Sequence, residues 1–243
     1  MLQDEGLVKG RQFKNRNYVG DPINAVRIFN DKEVDELIIL DISATSQHRP
    51  PNFDLIADIA SEAFMPFGYG GGINSVDQIE KIFKIGVEKA IINTAAFYHP
   101  ELVSNASRLA GSQSIVVSID VRRTMMGGYE VYIENGTKRT KHQVVEYARK
   151  MEELGAGELI LCSIDREGTA KGYDLKLVDS VSSAVDIPVV AQGGASKLQD
   201  FADVINETSA SAIAAGDMFV YHGKHKAVLI TYPEYAELEK LLN

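Results

Sequence analysis

Short apolar runs of strand length alternate with amphipathic helical stretches along the whole chain, the pattern of repeated βα units around a parallel sheet. Seven runs read as strands: ELIILDI (36–42), FMPFGYG (64–70), EKAIINT (88–94), SIVVSID (114–120), GELILCSID (157–165), IPVVAQG (187–193) and SASAIAAG (209–216). Their near-continuous apolar character suits strands buried on both faces. Asp21-Pro22 reads as an N-cap followed by a first-turn proline. Ser75 with Gln78 and Ser196 with Gln199 read as capping boxes, and Gly86 and Gly155 stand where helices should stop. YEVYIENGTKRT alternates around Asn135-Gly136 and predicts a hairpin, with Lys138, Arg139 and Lys141 at its solvated end.

The chain also repeats itself. GGGIN begins at 70 and GGASK at 193, 123 residues later; LDIS (40–43) answers SIDR (163–166), and NTAAF (93–97) answers AAGDMF (214–219), at nearly the same offset. Two similar half-barrels are implied, and a closed (β/α)8 barrel is the arrangement in which duplicated four-unit halves leave no sheet edge unpaired. No linker divides the chain, so 1–243 is expected to be one α/β TIM-barrel domain. The repeat places a counterpart of the strand ending at Asp120 near residue 1, where no such run precedes LVKG; the first strand is expected to be missing or truncated in this chain.

Composition narrows the function classes. A single Cys162 excludes an internal disulfide and a multi-cysteine metal site and fits a reducing cytosol. No run approaches the roughly 18 apolar residues that span a bilayer, and MLQDEGLVKG lacks a signal-peptide core, so a soluble cytoplasmic protein is expected. A net charge of −9 argues against a nucleic-acid partner. His48, His99, His142, His222 and His225 show no ligand spacing, and neither metal nor cofactor is expected.

In such a barrel, chemistry gathers at the C-terminal strand ends. Gly71 and Gly72 with Asn93 and Thr94 form one candidate phosphate site; Gly193 and Gly194 with Ala215 and Gly216 form another. Each joins flexible backbone to a helix start. Opposite placement across the mouth suggests a ligand with a phosphate at each end. Asp120 closes an otherwise apolar strand and is the candidate acid or base, because an unpaired buried carboxylate is costly unless used. Lys9, Asp41, Ser163 and Asp165 are candidates for orienting the ligand, Asp41 and Asp165 from equivalent repeat positions; for both aspartates a catalytic role stands open beside a structural or orienting one, and for Asp120 the alternative is ordering a neighbouring loop. Glu36, Lys89 and Glu158 stand at strand starts, on the opposite face, where inward charges need one another and could ring the axis as a gate.

GDP (20–22), DELIILDIS, YGGGI, EKAIINTAA, GSQSIVVSID, GAGELILCSIDREGT and the GGA motif resemble the cyclase subunit of imidazole glycerol phosphate synthase, over essentially the whole chain. The resemblance implies a two-phosphate substrate and ammonia delivered through the barrel from a glutaminase subunit docked on the N-terminal face. Carried over by motif, Gly72, Asn93 and Thr94 would hold one phosphate, Gly168, Gly194, Ala215 and Gly216 the other, and Glu36, Lys89 and Glu158 would be gate residues. Departures also stand out: Met1 where the family has its first catalytic aspartate, Glu167 for the usual aspartate, Gln192 for a small polar residue, and Gly216 for a phosphate-contacting serine. With NYVGDPINAVRIFN, YEVYIENGTK and YHGKHKAVLITYP, they resemble a paralogous branch associated with sugar amidation in surface-polysaccharide biosynthesis, where the barrel would furnish ammonia to a sugar amidotransferase. An authentic histidine-pathway cyclase and a non-catalytic scaffold that docks a glutaminase are the alternatives.

Overall fold

All seven runs form parallel strands in the computed structural model, which describes residues 1–242: β1 (Leu37–Leu40), β2 (Phe67–Gly70), β3 (Lys89–Ile92), β4 (Ile115–Arg123), β5 (Glu158–Ser163), β6 (Val189–Gln192) and β7 (Ala212–Ala214). They pair in chain order as one curled sheet, the α/β arrangement of a (β/α)8 barrel. Helices α1 (Pro22–Asp31), α2 (Phe53–Glu62), α3 (Val76–Ile85), α4 (Glu101–Ala110), α5 (Val144–Glu153), α6 (Leu175–Ser182) and α7 (Gln199–Glu207) alternate with the strands. Beside β1, where an eighth strand would pair, Leu2 makes a single parallel bridge to Asp41 and its carbonyl accepts from Ile42 N at 3.0 Å.

β2 to β6 are buried almost throughout, as their unbroken apolar runs require, while β1 and β7, at the two edges of the sheet, are mostly half-buried and Ala212 is exposed. A large cluster fills the space between sheet and helices, with Ile92, Val117, Ile119 and Leu159 among its members. A second, smaller one lies on the inner face: Ile91, Val116, Ile160 and Val190, with Ile38, Leu40 and Ala214 packed against it.

Two antiparallel hairpins cover the C-terminal mouth. The expected one, Tyr129–Ile133 with Lys138–Gln143, turns through Glu134, Asn135 and Gly136, all at positive φ. Its Asn135 donates to Ile42 O at 2.6 Å. The other, Gly6–Arg11 with Lys14–Gly20, carries no local sequence signal, because its turn uses Gln12 and Phe13 at positive φ without the asparagine-glycine pair. It docks on the segment after β5: Gln12 N donates to Glu167 O at 2.8 Å and Gln12 Nε2 to Asp165 O at 2.9 Å. A Cβ on Gly168 would stand 2.1 Å from Gly10 O, so that contact needs glycine.

Three local expectations are corrected. β4 does not end at Asp120 but runs to Arg123, because its last residues pair with Tyr129–Ile133. Ser196 does not cap α7 with Gln199; Asp200 Oδ2 takes the donors of Ser196 N, Ser196 Oγ and Lys197 N, and the helix starts later. Ser75 does cap α3, but the returning arm of Gln78 accepts from Asn74 N, not Ser75 N. Asp21, Gly86 and Gly155 act as expected, the first accepting from Asn24 N at 2.8 Å and the two glycines at positive φ where helices end. Among the described residues no helix is long and apolar enough to cross a membrane.

Asp21→Ala should therefore destabilise the protein by about 1 kcal/mol and lower its thermal midpoint by about 2 to 4 °C. Calorimetry showing an unchanged midpoint would mean that this cap contributes nothing.

Candidate active site at the strand ends

Side chains alternate along a strand, so β3, β4, β5 and β6 each present every second residue to the barrel axis. Register aligns these residues in layers: Ile160 lies beside Ser118 and Val190, and Cys162 beside Asp120 and Gln192. Ser118, Asp120, Cys162 and Gln192 thus line a cavity under the two hairpins, together with Asn93 and Glu167.

Asp120 is 9% exposed. Burial pushes its carboxyl up to about 7, the Asn93 amide opposes that shift, and nearby Glu167 adds to it. Asn93 Nδ2 divides its donors between Asp120 Oδ2 and Ser118 O, each at 3.0 Å. Glu167 is 7% exposed; burial raises it too, with Asp217 adding to the shift and Lys9 opposing it. Two carboxyls of raised proton affinity therefore share one cavity, and Asp120 titrates where an acid–base group is useful. Burial also holds the Cys162 thiol well above its usual range, which leaves it protonated.

The other expected residues fall in three places. Asp41 is buried and committed to its own turn: Oδ1 accepts from Ser43 N, Ser43 Oγ and Ala44 N, and Oδ2 pairs with Arg49 at 3.0 Å. Asp165 does not share that environment. It points outward, accepts from Arg123 N at 2.9 Å and lies 3.7 Å from Arg122. Ser163 is buried at the end of β5, where its carbonyl accepts from the amides of Arg166 and Glu167.

The paired glycine turns are built alike. Gly71, Gly72, Gly193 and Gly194 all have positive φ. Around the first pair, Asn93 and Thr94 line the cavity, and Thr94 Oγ1 is fixed by Glu134 N at 3.0 Å. Around the second, Gly194 O accepts from Gly172 N at 2.9 Å, and Ala215 and Gly216 lead into the short helix Asp217–Val220. Here Lys9 reaches over Gly216 and lies 3.7 Å from Asp217.

At the opposite end of the barrel, Lys89 Nζ donates to Glu36 Oε2 at 2.8 Å and to Glu158 Oε2 at 2.9 Å. Burial alone would lower the Lys89 pKa, but the two carboxylates outweigh it and leave it raised. Glu158 Oε1 is buried without a hydrogen-bond partner. The apolar layer of Ile91, Val116, Ile160 and Val190 separates this cluster from Asp120.

In the sequence Glu167 stands out only as a departure from a resemblance, and Asp217 matches no motif. An acid directly after a glycine at a strand end was the visible signal for Asp217.

The family model described as histidine biosynthesis protein matches residues 2–226. A Pseudomonas aeruginosa protein provisionally named imidazole glycerol phosphate synthase subunit hisF2 is 52% identical over 239 residues, 98% of this chain and 95% of its own. A Leptospira borgpetersenii protein with a similarly provisional name, subunit HisF, is 47% identical over 99% of this chain and 95% of its own. Imidazole glycerol phosphate synthase subunit HisF of Alkaliphilus metalliredigens is 41% identical over 89% of this chain and 86% of its own.

Because folding raises the Asp120 pKa, the folded state keeps that proton longer than the unfolded chain. Its contribution to stability is present in acid, falls as pH rises from near 3.8 to about 7, and stays lost above that. Asp120→Asn, which cannot ionise, should gain on the wild type through this window in thermal midpoints measured against pH. Parallel curves would show that Asp120 ionises at an ordinary carboxylate pH.

Proposed function

We infer the function from one premise: the chain belongs to the histidine biosynthesis protein family. It is a barrel subunit of the imidazole glycerol phosphate synthase cyclase type, like the relatives that carry that name. The barrel receives ammonia from a separate glutaminase docked at its N-terminal face, and ammonia enters between Glu36, Lys89 and Glu158. A phosphate of the ligand anchors at Gly71, Gly72, Asn93 and Thr94; the resemblance implies a second at Gly168, Gly194, Ala215 and Gly216, beside Gly193 of the same glycine turn. Asp120 moves the proton, Asn93 holds its carboxylate, and Lys9 lies at the far side of the mouth.

One observation carries this reading: the Lys89 bridge lies on the same inward face as Asp120, with only the Ile91, Val116, Ile160 and Val190 layer between them. A neutral small molecule can cross such a layer where an ion cannot, because desolvating a charge costs far more. The free Glu158 Oε1 offers an acceptor to its N–H groups at the entrance.

We place the pathway in sugar amidation for surface polysaccharide rather than in histidine synthesis. Glu167, Gln192 and Gly216 depart from the cyclase pattern around the ligand, and the C-terminal stretch departs with them. An authentic histidine-pathway cyclase is the second reading, favoured by the retained Asp120 and its raised pKa. A scaffold that only activates a glutaminase would leave Asp120 unused.

With the glutaminase present, Lys89→Ala should leave glutamine hydrolysis running while ammonia-dependent product falls, because ammonia is lost before it reaches Asp120. If that substitution abolished phosphate binding and kept coupling, the gate assignment would be wrong. In a histidine auxotroph lacking its cyclase, the chain should fail to restore growth; rescue would return it to histidine synthesis.

A further inference from the structure

The cavity under the two hairpins is built almost wholly from uncharged groups and carboxyls. Asp120 and Glu167 line it with raised proton affinity, and Asp41 lines it already paired with Arg49 at 3.0 Å. The Met1 amino group also borders it, but burial lowers its pKa to about 5, and the charges it faces, Lys9, Glu167 and Asp217, gather by the second glycine turn. Among the described residues lining this cavity, one lysine or arginine side chain remains: Arg16.

Arg16 lies on the returning strand of the N-terminal hairpin. Lys9 pairs with Asn17 across that hairpin, so Arg16, the neighbour of Asn17, projects from the opposite face. Lys9 therefore goes to Gly216 and Arg16 to the cavity. That placement needs Gly10, where a Cβ would stand 3.2 Å from Arg16 Cγ and 2.7 Å from Lys14 O. The guanidinium is held loosely: Nη1 donates to Gln3 Oε1 at 3.5 Å and Nη2 to Phe13 O at 3.4 Å, both at the long limit of a hydrogen bond. Arg49 and Arg122 pair with Asp41 and Asp165, but among the described residues no carboxylate pairs with Arg16. Gln3 also shows which side of the mouth Arg16 occupies. Its neighbour Leu2 bridges to Asp41, and Gly71 packs so tightly there that a Cβ on it would lie 2.3 Å from Asp41 O. Arg16 and the Gly71-Gly72 turn thus flank the same strand exit.

Backbone amides and neutral side chains such as Asn93 and Thr94 orient a phosphate but leave its charge unbalanced. A guanidinium supplies both the charge and a two-pronged donor. We propose that Arg16 is the cation of the first phosphate subsite, donating to the ligand phosphate at Gly71, Gly72, Asn93 and Thr94. The hairpin then serves both halves of the mouth, with Lys9 over Gly216 on one face and Arg16 on the other. This rests on the proposed function for the location of that phosphate.

Titrating the intact protein with inorganic phosphate, followed by phosphorus NMR and calorimetry at physiological ionic strength, tests it. Screening over about 8 Å keeps the influence of an exposed charge local under those conditions. Thr94→Val marks the equivalent bound at the first site as the one it weakens. Arg16→Gln should weaken that same equivalent by about tenfold and leave any other unchanged, and Arg16→Glu should weaken it further. Both variants should melt like wild type, because Arg16 is exposed. Wild-type affinity in either Arg16 variant, or weakening confined to an equivalent that Thr94→Val spares, would overturn the assignment while leaving the phosphate site in place. If Thr94→Val weakens no equivalent, the phosphate site itself fails, and the role of Arg16 with it.

Discussion

A strand in a parallel barrel can show only every second side chain to the axis, and here that period sorts chemistry by height. β3 enters the axis with Lys89, continues with Ile91 and leaves with Asn93; β5 runs from Glu158 through Ile160 to Cys162. A one-residue slip in either would bring the outward set to the axis and break both ends at once. The charged entrance, the dry middle and the polar mouth are three levels of one pleat, held in register by the same ladder of hydrogen bonds. The apolar middle layer gives the two ends separate electrostatics: Lys89 stays charged among carboxylates, while at the other end burial drives Asp120 towards neutrality.

The mouth depends less on the strands than on what crosses over them. Gln12 and Asn135 fasten the two hairpins to backbone carbonyls of the barrel, and Gly136 leaves no room for a side chain beside Phe13, where the hairpins meet. Both hairpins contribute to the cavity, so its dielectric and the pKa of Asp120 are set partly by segments outside the sheet.

The seven strands were legible because apolar runs buried on both faces need no knowledge of partners. The Asn135-Gly136 hairpin and the Asp21 cap were legible because their signals are local. The N-terminal hairpin was not, since Gln12 and Phe13 adopt positive φ only with tertiary support from the β5 exit. The cap of α7 was misread because Ser196 and Gln199 fit a local motif that Asp200 outcompetes with three donors. Asp120, Asn93 and the Lys89 cluster could be picked out from strand-end positions, and the structure brings each set together. Equivalence between Asp41 and Asp165 did not survive, because a repeat in sequence fixes backbone position and not what surrounds it. Lys9 near Asp217 lay beyond any motif, as a meeting of residues from opposite ends of the chain.

That meeting restricts how the protein can change. Positions 9 and 216 are 207 residues apart in sequence, yet any side chain at 216 would occupy the volume of the Lys9 ammonium. A serine there would shift the Lys9 ammonium from its place 3.7 Å from Asp217. The two positions are therefore coupled: a side chain at 216 obliges the flexible end of Lys9 to take another seat, so changing both should differ from the sum of the two single changes.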